Sequence, residues 1–125
     1  MVSIVLIEDH TDILESTAEL LELEGYQVIT AKNGKEGLEK IKQTQPDLII
    51  CDVRMPEMDG LALLASLGLR KDLKWIPFIF YSARSEKSDI QIGLDAGADD
   101  YLIKPCELKK LLASIKNCLL KGKTS

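Results

Sequence analysis

The sequence predicts an α/β fold: a doubly wound, five-stranded parallel sheet in the strand order 2-1-3-4-5, with five helices on its two faces. Short apolar runs alternate with amphipathic segments five times along the 125 residues, which is typical of parallel strands joined by helices. The apolar runs are continuous, as strands covered on both faces require. Right-handed crossovers leave few topologies, and this strand order is a common one.

The first strand and helix carry clear local signals. The apolar run at 3–7 predicts a strand that is buried on both faces. A helix is predicted at 12–24, with Thr11 as its N-cap and Gly25 as its C-cap. The helical spacing predicts one buried face, which consists of Ile13, Thr17, Leu20 and Leu21.

The later elements repeat this alternation. We predict the other strands at 27–31, 48–51, 77–81 and 101–103. We predict the other helices at 34–43, 60–68, 88–96 and from 108 onward. The last helix has a stripe made of Leu108, Leu111, Leu112, Ile115 and Leu119. Residues 1–121 are expected to form one domain, and residues 122–125 a flexible tail.

The composition is that of a globular domain. Hydrophobic residues make up 46% and charged residues 29%, which argues against disorder. The net charge of −4 disfavours direct binding of nucleic acid by charge neutralisation. No apolar run approaches the ~20 residues of a membrane span, and no signal peptide is recognisable at the N-terminus. A cytoplasmic domain without membrane contact is therefore expected.

Polar residues follow four of the strands at one edge of the predicted sheet. Glu8 and Asp9 follow the first strand, Asp52 the third, Ser82 the fourth and Lys104 the fifth. Ligands of such sheets bind at the carboxyl ends of the strands, where the strand order reverses between strands 1 and 3. Each residue alone could be a solvated loop residue, but the convergence of all five favours a site.

The three acids at this edge need a compensating charge. Two carboxylates about 4 Å apart repel by roughly 4 kcal/mol at an effective dielectric near 20, which is a large part of the ~5–15 kcal/mol that stabilises a domain. Lys104 offsets part of this repulsion. Mg²⁺, which binds one or two carboxylates together with a phosphate, fits the remainder.

Cysteine and histidine disfavour a structural metal site. Cys51, Cys106 and Cys118 are odd in number and lack Cys-x-x-Cys spacing, so reduced and mostly buried thiols are expected. His10 is the sole histidine, and a structural zinc site would therefore have too few ligands. We expect His10 to be an exposed loop residue and not a ligand.

In the order in which they occur, these motifs resemble the receiver domain of two-component response regulators, over nearly the whole chain. The resemblance rests on Glu8-Asp9, DVRMPEMDG at 52–60, the segment 76–83 and GADDYLIKP at 97–105. No one motif is specific alone, but the ordered combination is. It implies a flavodoxin-like fold and a bacterial phosphoprotein in phosphorelay signal transduction.

The resemblance implies a phosphoacceptor site. Asp52 would accept a phosphoryl group from the phosphohistidine of a histidine kinase or a histidine phosphotransfer protein. Asp9 and Asp52 would ligate Mg²⁺ directly, with Mn²⁺ as a substitute, while Glu8 would act largely through water. The backbone carbonyl of Arg54 would add a ligand, and Lys104 would bind a phosphoryl oxygen.

The resemblance also implies a switch. Ser82 would bind another phosphoryl oxygen, and Tyr101 would turn inward with it. This movement would reshape the face formed by the fourth helix, the fifth strand and the fifth helix, and so control a downstream protein or an attached output domain. Dimerisation through that face stays open. The Lys104–Pro105 bond would be cis. Self-phosphorylation and slow self-dephosphorylation would be the only reactions, so an enzyme is not expected.

Four residues depart from the common pattern or modify it. Tyr81 and Cys106 replace more usual apolar residues, and we interpret both as packing variants. Arg54 and Arg84 lie two positions after Asp52 and Ser82, where they would lengthen the life of the phosphorylated form or bias partner choice. An equally supported interpretation makes them solvated surface arginines.

Two other functions stay open. An aspartate-nucleophile phosphatase would need a second aspartate two residues after Asp52, where the chain has Arg54. A receiver-like interaction module would keep the fold without being phosphorylated, although the complete set of acceptor residues disfavours it. The length fits either a stand-alone regulator or the N-terminal piece of a longer chain.

Overall fold

Five strands alternate with five helices in the computed structural model, which describes residues 1–121. The predicted tail at 122–125 lies outside the described residues. The strands are β1 (Ser3–Ile7), β2 (Gln27–Ala31), β3 (Leu48–Cys51), β4 (Phe78–Ser82) and β5 (Asp100–Ile103). The helices are α1 (Thr11–Leu23), α2 (Gly34–Thr44), α3 (Gly60–Gly68), α4 (Lys87–Asp95) and α5 (Leu108–Lys121).

The strands form one parallel sheet in the order β2-β1-β3-β4-β5, so the predicted topology is confirmed. Its register sets the carboxyl edge. Ile7, the last residue of β1, pairs with Ala31 on one side and with Cys51 on the other. Cys51 in turn pairs with Phe80 of β4. Because β1 and β3 end level with each other, the residues that follow them share one edge of the sheet.

Each face of the sheet packs against its own helices. Val5 and Ile7 of β1 belong to a core that also contains residues of α2 and α3, including Ile41 and Leu63. The alternate β1 residues Ile4 and Leu6 pack on the other face, in a second core built with α1 and α5; its members include Leu14, Leu21, Leu111 and Ile115. Successive strand side chains point to opposite faces, so continuous apolar strands produce this doubly wound arrangement.

The beginning of α1 differs from the prediction. The helix begins at Thr11, and His10 is its N-cap, because the His10 carbonyl accepts the first helical hydrogen bond from the Leu14 N–H at 2.9 Å. Thr11 is therefore not the cap. At the other end Gly25 has φ +97°, and the Gly25 and Tyr26 N–H groups bond back to the carbonyls of Glu22 and Leu21. This is a Schellman ending in which Glu24 is the C-cap and Gly25 follows it, so the glycine ends the helix as expected but one position after the predicted cap.

The buried face of α1 is also rotated relative to the prediction. Thr17 and Leu21 are buried as expected, but Ile13 and Leu20 are 37% and 43% exposed. Leu14 and Ala18 take their places in the core. Apolar residues surround much of this helix, so hydrophobic spacing alone leaves two adjacent faces almost equivalent.

Other element boundaries shift by one residue, which is the usual precision at element ends. Ser82 is the last residue of β4 rather than the first residue after it. In α5 the fully buried stripe contains Ser114 and Cys118, while Leu108, Leu112 and Leu119 are only half-buried. Among the described residues, no helix combines the length and apolar character of a membrane span.

Candidate functional site

The carboxyl edge of β1 and β3 brings together the predicted acids. Glu8 follows β1 directly and is buried, and its N–H donates to the Ala31 carbonyl at 3.0 Å. Asp52 follows β3, and its N–H donates to the Ile7 carbonyl at 3.1 Å. These backbone bonds extend the sheet by one residue on each strand. The two carboxylates are therefore positioned by the sheet itself.

Lys104 connects the two acids. Its Nζ donates a hydrogen bond to Glu8 Oε1 and another to Asp52 Oδ2, the latter at 3.0 Å. Lys104 follows β5, and its N–H donates to the Ser82 carbonyl at 2.8 Å, which fixes the lysine relative to β4. The Lys104–Pro105 bond is cis, as the resemblance implies. One cation thus bridges two carboxylates in a pocket where each of the three side chains is at most 12% exposed.

Burial dominates the electrostatics of this pocket. Burial raises the pKa of Asp52, and the nearby Asp9 raises it further. Hydrogen bonds from Ser82 and from the backbone of Val53 and Arg54 lower this pKa but do not cancel the rise. Burial also lowers the pKa of Lys104 to about 8. Desolvation thus disfavours the charged forms of both the acid and the base. The direct contacts between Lys104 and two carboxylates oppose that effect and favour the ion pair.

Asp9 supplies the observation that tests whether a cation fits. Its Oδ1 atom is the only fully buried side-chain oxygen or nitrogen without a hydrogen-bond partner among residues 1–121. Buried polar atoms normally have partners, and three acids face a single lysine here. A hard divalent cation takes oxygen ligands of this kind. The acidic residues present at this edge therefore fit Mg²⁺.

A second group of residues links the pocket to α4. Ser82 is buried, and its hydroxyl accepts a hydrogen bond from the Arg84 N–H at 3.2 Å. The carbonyl of the same Arg84 accepts from the Tyr101 hydroxyl at 2.8 Å. The Arg84 guanidinium lies 3.5 Å from Asp89 of α4. Tyr101 already lies inward, 8% exposed, and Arg84 therefore contacts three parts of the predicted switch.

A groove of about 460 Å³ opens beside this group. Its walls include Arg54 and Arg84 together with Asp89, Ile92 and Gly93 of α4. Arg54 is exposed, whereas Arg84 is half-buried and paired with Asp89. The two arginines predicted to flank the acceptor thus border one concave surface next to it.

Sequence reasoning missed two features of the site. The first is His10, which is exposed as expected, but whose Nδ1 lies 3.3 Å from Glu8 Oε2 and 3.4 Å from Asp9 Oδ1. Its position directly after the acidic pair was the available signal.

The second missed feature joins Tyr81 and Cys106, the two departures from the common pattern. Both pack against the α1/α5 core. Burial raises the pKa of Tyr81 to about 12, and the neighbouring Cys106 adds to the rise. Lys104 Nζ lies 5.3 Å from the centre of the Tyr81 ring. The two replacements are therefore neighbours beside the lysine, and Tyr81 faces away from Ser82 as predicted.

Comparison with known proteins gives a consistent result. The profile of the response regulator receiver domain matches residues 4–116. The transcriptional regulatory protein PrrA of Mycobacterium leprae is 39% identical over 117 residues, which are 93% of this chain and 49% of that protein. The chain thus spans about half the length of the curated relatives it matches.

Solved structures agree with the sequence comparison. A putative response regulator from Chloroflexus aurantiacus superposes with a TM-score of 0.90 at 33% identity, covering 94% of this chain and 97% of that one. The signal receiver domain of a signal transduction histidine kinase from Syntrophus aciditrophicus gives 0.89 at 38% identity, with coverages of 100% and 95%. The chain belongs to the response regulator receiver domain family, a signalling domain of two-component systems.

Proposed function

We propose that Asp52 accepts a phosphoryl group from the phosphohistidine of a histidine kinase or a histidine phosphotransfer protein. In this transfer the N–P bond breaks, its electron pair stays on the histidine nitrogen, and an O–P bond forms on the Asp52 carboxylate. The supporting observation is the contact of Asp52 Oδ2 with Lys104 Nζ at 3.0 Å, in a pocket with an orphaned Asp9 oxygen. Aspartate carboxylates are established nucleophiles in covalent catalysis.

Mg²⁺ is the proposed cofactor, and Mn²⁺ would substitute for it. Asp9 and Asp52 would hold the ion directly, Glu8 largely through water, and Arg54 through its backbone carbonyl. When bound, the ion supplies positive charge beside the phosphoryl oxygens, which phosphoryl transfer needs more than covalent help.

Lys104 and Ser82 would complete the neutralisation of the phosphoryl charge. Lys104 Nζ already contacts Asp52, so it need only exchange one anionic oxygen for another. The Ser82 hydroxyl would donate to a further phosphoryl oxygen. None of these groups is a free general base, which suits a domain that phosphorylates itself, retains the group and dephosphorylates slowly.

The output would pass through Ser82 and Arg84. A phosphoryl group that draws the Ser82 hydroxyl would weaken its bond to the Arg84 N–H. The same residue holds Tyr101 and α4, so the face of α4, β5 and α5 would change. That change would control a downstream protein, a second copy of the chain, or an attached output domain such as one that regulates transcription. The domain itself would act in the cytoplasm without binding nucleic acid or membrane.

The test is phosphorylation by a small donor. The reduced protein is incubated with Mg²⁺ and acetyl phosphate, and its intact mass is measured. We expect one phosphoryl adduct, absent in Asp52→Asn and retained in Glu15→Gln, which removes an exposed acid of α1. No adduct on the wild-type protein would favour the interaction module. Sustained hydrolysis of a generic phosphate ester would favour the phosphatase.

A further inference from the structure

Tyr81 lies beside Lys104 on the same face of the sheet. Tyr81 of β4 pairs with Leu102 of β5, and both pack against the α1/α5 core. Because strand side chains alternate between the two faces of a sheet, Lys104, two residues after Leu102, points to this face as well. The Lys104 N–H donates to the Ser82 carbonyl at 2.8 Å, so the pairing continues beyond the end of β5. The backbone thus brings the phenol ring and the ammonium group together.

The Lys104 ammonium group lies over the Tyr81 ring. Its Nζ atom is 5.3 Å from the ring centre, within the ~6 Å over which the face of an aromatic ring attracts a cation. The lysine side chain is only 12% exposed, so water weakens this attraction less than it would at the surface. Tyr81 also lines a narrow cavity together with Glu8 and Asp52. The ring therefore forms one wall of the Asp52 pocket.

Cys106 lies at the other end of the Tyr81 side chain. Its thiol is close to the Tyr81 hydroxyl, where it adds to the rise in the pKa of Tyr81. Cys106 packs against the same core as the ring. Lys104 and Cys106 flank Pro105 in the chain, so Tyr81 has neighbours on both sides of this proline. The hydroxyl end of the ring is therefore confined while its face is turned to the ammonium group.

Packing alone does not account for an aromatic ring at this position. An aliphatic side chain would also fill the core, whose other members on β4 and β5, Ile79 and Leu102, are aliphatic. Such a side chain has no negative face to offer a cation. Lys104 also bonds to Glu8 and Asp52. Unlike these two bonds, the attraction of the ring does not depend on which anion the lysine binds.

We propose that Tyr81 is a positioning residue for phosphoryl transfer. Its ring keeps the Lys104 ammonium group directed into the pocket while the lysine exchanges a carboxylate oxygen for a phosphoryl oxygen. The inference rests on the proposed function and deepens it, because it assigns the orientation of the phosphoryl-binding cation to a side chain of β4. Tyr81 itself would touch neither the donor nor the phosphoryl group. Without the ring, Lys104 would sample more orientations and transfer would be slower.

The test separates the charge of the ring face from the shape of the ring. In Mg²⁺ and acetyl phosphate, the rate of adduct formation is measured by intact mass for Tyr81→Phe, for Tyr81→Leu and for protein with pentafluorophenylalanine in place of Tyr81. Fluorination keeps the ring shape but removes the negative potential of its face. We expect Tyr81→Phe to react within about twofold of the wild-type rate, and the other two about threefold or more slowly. Tyr26→Leu, which removes another half-buried ring from the same core, is the matched control and should react at the wild-type rate.

A second measurement detects the contact without phosphorylation. The ring should shift the Lys104 Hε resonances upfield in NMR spectra of the wild-type protein and of Tyr81→Phe, but not of Tyr81→Leu. The absence of this shift in the wild-type protein would overturn the proposal.

The rates can also contradict it. Equal rates for Tyr81→Phe and the pentafluorophenylalanine protein would exclude the ring face, and a Tyr26→Leu protein as slow as Tyr81→Leu would indicate lost packing instead. If the wild-type protein forms no adduct, the proposed function is wrong and the role of Tyr81 in transfer is wrong with it. If every variant forms the adduct at the wild-type rate, only the role of Tyr81 is wrong.

Discussion

Asp52 illustrates how function and stability oppose each other at a single residue. Three carboxylates and one ammonium group occupy a mostly buried pocket, which leaves an excess negative charge near Asp52, the proposed acceptor. Burial raises the pKa of Asp52, so the folded protein holds the carboxylate less readily than the unfolded chain does. As the proposed nucleophile, Asp52 would therefore gain more free energy from a bound cation or from phosphorylation than a solvated carboxylate would.

The first prediction follows from that cost. Asp52→Asn should raise the free energy of unfolding of the metal-free protein at neutral pH by roughly 1 kcal/mol, a typical size for a point mutation. Because a raised folded-state pKa makes the carboxylate destabilising above that pKa, the gain should shrink as the pH falls through it. Denaturant unfolding at several pH values, in the presence of a chelator, measures the effect.

Mg²⁺ should make the wild-type protein more stable than Asp52→Asn, the reverse of the order expected without metal. At about 100 times its Kd, a ligand that binds only the folded state adds about 2.7 kcal/mol. The wild-type protein should gain this increment and Asp52→Asn much less of it, with Glu15→Gln behaving as wild type. A variant that is less stable than wild type without metal would contradict the assignment of Asp52 as a destabilising buried acid.

Arg84 carries the second prediction at this scale. Its guanidinium borders the groove beside the acceptor, while its backbone holds Ser82 and Tyr101. Arg84→Ala keeps the backbone contacts and removes the side chain that is predicted to lengthen the life of the phosphorylated form; it would do so by hindering the water that attacks the phosphoryl group. Dephosphorylation should accelerate about threefold, which is roughly 0.7 kcal/mol in activation free energy. Arg70→Ala, which removes an exposed arginine paired with Asp72, is the control, and an equal rate in all three proteins would exclude this role.

At the scale of elements, strands were easier to predict than helix faces. Continuous apolar runs define the buried strands β1 and β3 to the residue. The bounds of β2 were also predicted, although this edge strand contains Gln27 and Thr30 and is only partly buried. The α1 face was rotated because Ile13 and Leu20 are as apolar as Leu14 and Ala18, and only the direction of the sheet selects between them. The cap at His10 escaped prediction because its side chain serves the acids instead of the helix.

The beginning of α3 packs against the backbone of Asp52 and so helps to position that residue. A Cβ at Gly60 would lie 2.3 Å from the Asp52 carbonyl oxygen and 2.8 Å from the Phe80 ring, and neither atom belongs to a flexible side chain. Gly60→Ala should therefore lower the free energy of unfolding by about 1–3 kcal/mol and slow phosphorylation of Asp52 by displacing its backbone. Denaturant unfolding and adduct formation over time measure the two effects.

The same helix contains the control for this prediction. Gly68 ends α3, and a Cβ there would meet nothing within 4 Å. Gly68→Ala should leave stability unchanged or raise it by up to about 1 kcal/mol, because alanine favours the helix. If Gly60→Ala and Gly68→Ala have the same effect, the close approach of Gly60 to the Asp52 carbonyl and the Phe80 ring is not what positions the Asp52 backbone.

At the scale of the whole molecule, the reversal of strand order explains why the residues of the site could be predicted from the sequence. The contacts between their side chains could not be predicted in this way. Chain topology brings Glu8, Asp52 and Lys104 to one edge whatever their side chains do. The Lys104 bridge, the Arg84 contacts and the Tyr81–Cys106 pair depend on rotamers and loop paths, which spacing does not encode. The position of a residue at the edge of the sheet thus follows from the sequence pattern, whereas the hydrogen-bond and ion-pair partners of its side chain follow from packing.

Stability is also distributed unevenly over the molecule. Within the described chain, α4 buries only Gly93, whereas α2, on the same face of the sheet, buries Gly34, Gly37 and Ile41. A helix with few buried residues opens locally at low free energy. Its contacts toward the Asp52 pocket pass through Arg84, which contacts Asp89 of α4 and the Tyr101 hydroxyl. The proposed phosphorylation of Asp52 would therefore reach the helix with the fewest buried residues without unfolding the cores.

The last prediction concerns this long-range response. In the presence of Mg²⁺ and acetyl phosphate, the rate of amide hydrogen exchange in α4 should change several-fold, while the rate in α2 stays constant. Among the hydrogen bonds and ion pairs of the described chain, α2 has no contact with Arg84 or Tyr101. Tyr101→Phe removes the 2.8 Å bond to the Arg84 carbonyl but keeps the ring in the core, so it should reduce the α4 response without preventing adduct formation. An equal change in both helices would indicate global stabilisation by the bound groups, and an unchanged α4 in fully phosphorylated protein would exclude Ser82, Arg84 and Tyr101 as the connection.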